Sequence, residues 1–172
     1  IGYSFEGQDV QLLKKGTSSA EKVTLSFYVK GNAAATYVVG FYDVDGRNIG
    51  KQFSVTTSWN RVSITFDGDT SNAPTNDNSE QLVLRFYLHA GSTYTGGTLQ
   101  QVWDTTTNNE TVGGGTTSFF DSTDRTFFIT GVQLELGDTA TPFEHRSYGE
   151  EFNKCTRYFQ HFGPSADGGT NF

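Results

Sequence analysis

One cysteine, Cys155, is all the chain holds. No internal disulfide can form, so the fold must stand on its core alone, as suits synthesis in a reducing cytoplasm. Basic residues are also scarce. Twelve Lys and Arg against 19 Asp and Glu leave a net charge of −7 and a pI near 4.8. Nucleic-acid binding is not expected, because neutralising phosphates takes clustered Lys and Arg. An anionic membrane surface is disfavoured on the same ground. No stretch reaches the ~18 apolar residues that a membrane span needs, and no signal-peptide pattern opens the sequence, so no membrane insertion is expected. The histidines are His89, His145 and His161, and none lies near a nucleophile motif. G-x-S-x-G, H-E-x-x-H and P-loop motifs are missing, which argues against an enzyme. The carboxylates are scattered over turns. A glycosidase pair need only converge in space, so a polysaccharide-degrading enzyme stays as a distant alternative.

What is plentiful points to an all-β protein. Gly (20), Phe (15) and Tyr (8) are abundant, Met is absent, and Thr and Ser are frequent. That is the usage of many strands joined by many turns. A chain of 172 residues suits one domain, burying about 70% of its unfolded surface. Period-two alternation marks the strands. Val23, Leu25, Phe27 and Val29 face inward, as do Val62, Ile64 and Phe66, and as do Leu82, Leu84, Phe86 and Leu88. Residues 37–42 are apolar on both faces and suit a central strand, and Asp45-Gly46 is a hairpin turn leading to a return strand over 49–55. The last strand, over 125–136, alternates Val132, Leu134 and Leu136 inward with Gly131, Gln133 and Glu135 outward. Phe127, Phe128 and Ile129 place its start at a fully covered position.

About eight strands, antiparallel hairpins and no crossover helix predict a two-sheet β-sandwich of jelly-roll type with a short C-terminal helix. The sandwich is expected over 1–146, a strap with a short helix over 147–161, and a linker toward a further domain over 162–172. Ile1 reads as mid-strand, so an N-terminal strand is expected to be missing. Residues 1–13 read as two short strand pieces meeting near Gly7. Residues 90–124 are the least regular, with a short strand over 99–103 and a mobile tip over 108–117. Ser147 is placed to cap a helix from Tyr148 to about Phe159, with Glu150 and Glu151 in its first turn and Phe152, Cys155 and Phe159 in one stripe.

Two kinds of site suggest themselves. Saccharides are held by aromatic faces together with a few placed polar groups. The outward candidates are Tyr28, Tyr42, Tyr87, Tyr94 and Trp103, with Arg85 beside them. For Tyr28 and Tyr87 the alternatives are cross-strand packing and an oligomer contact. Trp59, at a strand start, reads as a plug for the end of the sandwich. For metal, Asp43, Asp45 and Asn48 faintly resemble a calcium loop, and Asp67-Gly68-Asp69 is another oxygen cluster. The bidentate acid that closes an EF-hand loop is lacking, and a plain hairpin turn explains Asp45-Gly46 as well.

A long segment carries a family resemblance. Thr130 to Glu135, Gly137, Ala140 to Glu144, Arg146, Tyr148 to Glu151, Cys155, Arg157 and Tyr158 spell T-G-V-Q-L-E, G, A-T-P-F-E, R, Y-G-E-E and C-x-R-Y. This is similar to the closing strand and exit segment of a β-sandwich domain common in tailed-phage virion proteins, mostly tail fibres or carbohydrate-binding-module-like domains. The similarity extends weakly through residues 23–30 and 59–69. It implies a virion protein made in the host cytoplasm and carried on a tail fibre or surface appendage. Other virion proteins would be its partners; the outward aromatic residues suit a host-surface glycan, and a homotrimer would cover the edge strands of the sandwich. Sandwich carbohydrate modules often hold a structural calcium, which would be the sole cofactor. The runner-up is a purely structural or capsid-decorating domain with no ligand.

Overall fold

A computed structural model describes residues 1–156. The chain divides into two compact units, Ile1–Pro142 and Phe143–Phe172. The expected segments 147–161 and 162–172 fall in the second, and from residue 157 onward they lie outside the described residues, as do Arg157, Tyr158 and Phe159.

The first unit is the expected antiparallel two-sheet β-sandwich. Its strands are β1 (Gly2–Glu6), β2 (Val23–Gly31), β3 (Ala35–Asp43), β4 (Arg47–Val55), β5 (Asn60–Phe66), β6 (Glu80–Tyr87), β7 (Asp104–Thr105) and β8 (Phe127–Leu136). They form a five-stranded sheet in the order β1-β6-β3-β4-β7 and a three-stranded sheet in the order β5-β2-β8. The inward positions of β2, β3, β4 and β6 are buried as the alternation requires, with Leu25, Phe27, Val29 and Val39 fully covered. Edge-on aromatic pairs stitch one sheet to the other. Phe27 on β2 meets Phe53 and Phe86, each at 5.2 Å, and Phe41 on β3 meets Phe66 at 5.0 Å. Such pairs contribute about 0.5–1.5 kcal/mol each beyond their buried area.

The sequence reading needs correction in four places. Residues 7–13 form two single turns of 3-10 helix, Gly7–Asp9 and Gln11–Leu13, instead of a second strand piece. Between the turns Val10 drops into the core. In β8 the register slips: Thr130 faces Tyr28 and Gln133 faces Ser26, so residues 131 and 132 together oppose Phe27. Gly131 has φ +58°, the left-handed conformation that a glycine supplies at a bulge. The extra residue inverts the alternation. Phe127 and Ile129 pack on the core before the bulge and Leu134 after it, while Val132 and Leu136 are left exposed. Phe128 points outward and is 48% exposed, because β8 is an edge strand rather than a covered one. Finally, residues 99–103 form no strand, and the tip over 108–117 is hydrogen-bonded to residues 94–100 and 36, as described below.

The described part of the second unit holds one helix, α2 (Tyr148–Cys155). α1 is a single turn, Ser92–Thr95, in the first unit. α2 begins where Ser147 was placed to cap it. Ser147 Oγ accepts from Glu150 N–H at 3.3 Å, and Ser147 N–H donates back to Glu150 Oε2 at 3.0 Å. That backbone bond, joined by the Ser147 hydroxyl, holds the Glu150 carboxyl below its usual range. Phe152 and Cys155 of the expected stripe are exposed.

Candidate functional site

On the five-stranded sheet, inward Phe41, Leu84 and Phe86 force their neighbours Tyr42, Arg85 and Tyr87 to the outer face. Gly40 pairs with Arg85 and Val83 with Tyr42, so Arg85 and Tyr42 are diagonal neighbours across β3 and β6. With no side chain at Gly40, the arginine leans across. Its guanidinium carbon lies 4.6 Å from the Tyr42 ring centre, a cation–π distance. Tyr87 is half-buried, and burial pushes its phenol above the ordinary range, so the hydroxyl stays neutral and available for hydrogen bonding.

The irregular stretch between β6 and β8 folds back over this face. Its anchor is a small second core of Val38, Leu99 and Val112. Backbone bonds fasten it at both ends and in the middle. Gly50 N–H donates to Gln100 O at 2.8 Å, Gln100 N–H to Glu110 O at 3.0 Å, and Thr117 N–H to Thr36 O at 2.8 Å. The Gln100 side chain reaches Asn48 O at 3.0 Å. Gly113 has φ +64°, and a Cβ there would lie 2.5 Å from Leu99 N, so a glycine is needed where the two arms of the roof meet. Val112 and Gly113 N–H both donate to Tyr94 O at 3.1 Å. That places α1, and with it Tyr94, at the rim.

The result is an open groove of about 620 Å³ lined by Tyr42, Arg85, Tyr87 and Tyr94, within the ordinary size range of ligand sites. Sequence reasoning named these residues without knowing that they meet. It missed His89 and Asn108, which also line the groove. His89 was legible as the next outward position after Arg85 and Tyr87, whereas Asn108 arrives on the roof and carried no periodic signal. A second groove of about 630 Å³ lies across the ridge Arg85–Tyr87–His89, with Phe119 and Phe120 on its far side. His89 Nδ1 is 2.8 Å from Ser118 Oγ, and its ring meets Phe120 edge-on at 5.2 Å.

Trp103 lies elsewhere. Its ring packs against the main core, its Nε1–H donates to Asp67 O at 2.8 Å, and the Lys15 ammonium sits 6.0 Å from its centre. It closes an end of the sandwich, the role expected of Trp59. Trp59 is instead 48% exposed, with the Lys30 ammonium 5.2 Å from its ring. Trp103 thus takes the role expected of Trp59, while Trp59, next to the start of β5, stays on the surface and outside the groove. Tyr28 lies on the outer face of the three-stranded sheet, apart from the groove.

Asp43, Asp45 and Asn48 do not form a cation cradle. Asp45 is exposed on the turn, while Asp43 and Asn48 are buried. Asp43 Oδ1 accepts from Arg47 N–H at 2.7 Å, and Oδ2 lies 2.8 Å from the Lys15 ammonium in a contact set off the hydrogen-bonding direction. Lys15 also meets Asp69 at 3.2 Å, and Arg47 binds Asp69 through two nitrogens at 3.2 Å each. Lys15 and Arg47 thus already balance the charges of Asp43 and Asp69, and a calcium ion added there would leave excess positive charge in a buried place. Among the described residues no group of three or more His, Cys, Asp or Glu converges on a metal-sized site.

No known family model, curated protein or solved structure matches the chain. Among the described residues no helix is long and apolar enough to cross a membrane.

Proposed function

We propose that this chain is a recognition domain of a phage virion, part of a tail fibre or similar appendage, and that its groove takes a glycan of the host surface. One observation carries the reading. Tyr42, Arg85, Tyr87 and Tyr94 come from two strands and a roof, yet converge on one open groove. Aromatic faces beside a guanidinium and the Asn108 amide suit sugar C–H faces and hydroxyls. The closing segment 130–158 supports the virion setting through the resemblance described above. Homotrimerisation would turn weak single sites into firm attachment.

The test is glycan-array binding followed by calorimetric titration of Tyr87→Ala and Tyr42→Ala variants. Millimolar binding that weakens about tenfold in either variant is expected, from the loss of a sugar-facing ring in Tyr87→Ala and of the support beneath Arg85 in Tyr42→Ala. A folded chain that retains no glycan on the array would overturn the reading. It would favour a structural or capsid-decorating domain, which draws its own support from α2. Tyr148 and Phe152 stack at 6.0 Å while both stay exposed, the kind of aromatic pair that subunit interfaces cover.

A further inference from the structure

Resting on that reading, we infer that the glycan is an acidic one, a saccharide chain whose carboxylate pairs with Arg85 at the crest between the two grooves. In a protein with 19 acidic and 12 basic residues, two adjoining grooves with no carboxylate among their described lining residues are a local departure from the average, and Glu80 nearby is already bound by Ser4 at the edge of the second groove. Both grooves show it. Neither the Tyr94 side nor the Phe120 side has an Asp or Glu among its described lining residues. Arg85 is the permanently charged group in both.

Arg85 also lacks a carboxylate partner among the described residues. Lys14, Lys15, Lys22, Arg47, Arg125 and Arg146 each sit within 4 Å of a carboxylate. Among the described residues Arg85 makes no such ion pair, and neither do Lys30, Lys51, Arg61 and Lys154, but of these five only Arg85 is among the lining residues of the grooves. Its neighbours are the Tyr42 ring and the neutral Tyr87 hydroxyl. A guanidinium resting on an aromatic face loses water from that face while its in-plane N–H groups stay able to donate, and such a planar fork can grip a carboxylate through two parallel bonds. The side chain is half-buried, so an ion pair formed there is screened less than one on open surface.

Position then sets the ligand's length. Arg85, Tyr87 and His89 line both grooves. A carboxylate held at this crest leaves neighbouring sugar units to lie toward Tyr94 on one side and toward Phe120, 75% exposed, on the other. The geometry therefore favours an internal stretch of an acidic chain over a single terminal sugar.

The test uses the folded chain and a tetramer of galacturonic acid, compared by calorimetry with the same tetramer reduced at its carboxyls to neutral galactose units. Sialyl-lactose provides a second carboxylate source with a terminal acid. Reduction is expected to weaken binding about tenfold to a hundredfold, the worth of a charge-assisted hydrogen-bonded pair. The affinity of the acid form should fall with added salt. Arg85→Gln should reproduce the loss and abolish the salt dependence, Arg85→Lys should restore part of it, and Lys30→Gln on the other sheet should change nothing. Sialyl-lactose binding as tightly as the tetramer would uphold the acid but overturn the internal-chain geometry. Equal binding of acid and reduced tetramers would overturn the acidic ligand while leaving glycan recognition intact. Binding of neither, with an array that also stays blank, would remove both. If Arg85→Gln fails to fold, the comparison of the two tetramers on the unaltered chain still decides.

Discussion

The outer faces of the two sheets are covered in opposite ways. Over the five-stranded sheet runs a roof that touches down at Val38, Gly50 and Thr36 and leaves a groove of about 620 Å³. Over the three-stranded sheet runs a short exit segment, residues 137–142, that lies flat. Thr24 Oγ donates to Gly137 O at 2.8 Å, Arg61 donates to Thr141 O, and Glu135 takes both the Thr141 hydroxyl at 2.5 Å and its N–H at 3.1 Å. These bonds leave Thr24 and Ser26 buried although they point outward. Cover that bonds backbone to side chain at every step seals the stretch of sheet it crosses, whereas cover that rests on a few apolar pegs leaves room for a guest.

The tryptophans offer the largest way to break this contrast. Trp103 pegs the sandwich end beneath the roof, whereas Trp59 stands exposed beside Lys30. Trp103→Ala should cost about 3 kcal/mol, the low end for a large aromatic because the ring is only partly buried. Trp59→Ala should cost about 0.5–1 kcal/mol, the loss of an exposed cation–π contact. Urea unfolding of both variants measures the gap. Equal losses would mean that the end of the sandwich is closed by something other than Trp103.

Next comes the roof itself. Leu99→Ala removes the central peg of the Val38, Leu99 and Val112 cluster and should cost about 2 kcal/mol, the small end of the range for a leucine in a minor core. Because Tyr94 and Asn108 ride on the roof, glycan affinity should fall with stability. A variant with unchanged affinity and a loss under about 0.5 kcal/mol would return these residues to the loose loop that their composition suggests.

That composition misleads for a physical reason. Where burial follows a period of two, the sequence was transparent. Val23 to Val29, Leu82 to Phe86 and the Asp45-Gly46 turn all lie where alternation and turn chemistry put them. Tyr42, Arg85 and Tyr87 were legible as outward for the same reason. The roof has no period to read. It is held by single contacts such as Gly113 against Leu99 and Gln100 against Asn48, between residues far apart in sequence, and Asn108 enters the groove through them. A single glycine caused the error in β8. Gly131 reads as one more outward position, yet its left-handed conformation inserts a residue and exposes Val132. The tryptophans were misassigned because a ring at a strand boundary can turn inward or outward, and only the chain's later path decides which.

The smallest effect belongs to the sealed side. Glu135 carries a carboxyl held below its ordinary range, chiefly by the Thr141 hydroxyl and then by the Gln133 amide. A carboxyl lowered on folding stabilises the native state above its unfolded pKa, and that contribution fades as pH falls through the folded value. Thr141→Val keeps the shape and deletes the hydroxyl. It should cost about 1 kcal/mol or less near neutral pH, since the bond is exposed and water can replace it. In acid, where Glu135 is protonated in both proteins, the two melting temperatures should draw together. NMR titration should also show the Glu135 carboxyl of the variant moving back up toward its ordinary value. A melting difference that stays constant through the acid range would mean that Thr141 acts through its backbone and Arg61 alone, and that the flat cover on this sheet owes nothing to the charge beneath it.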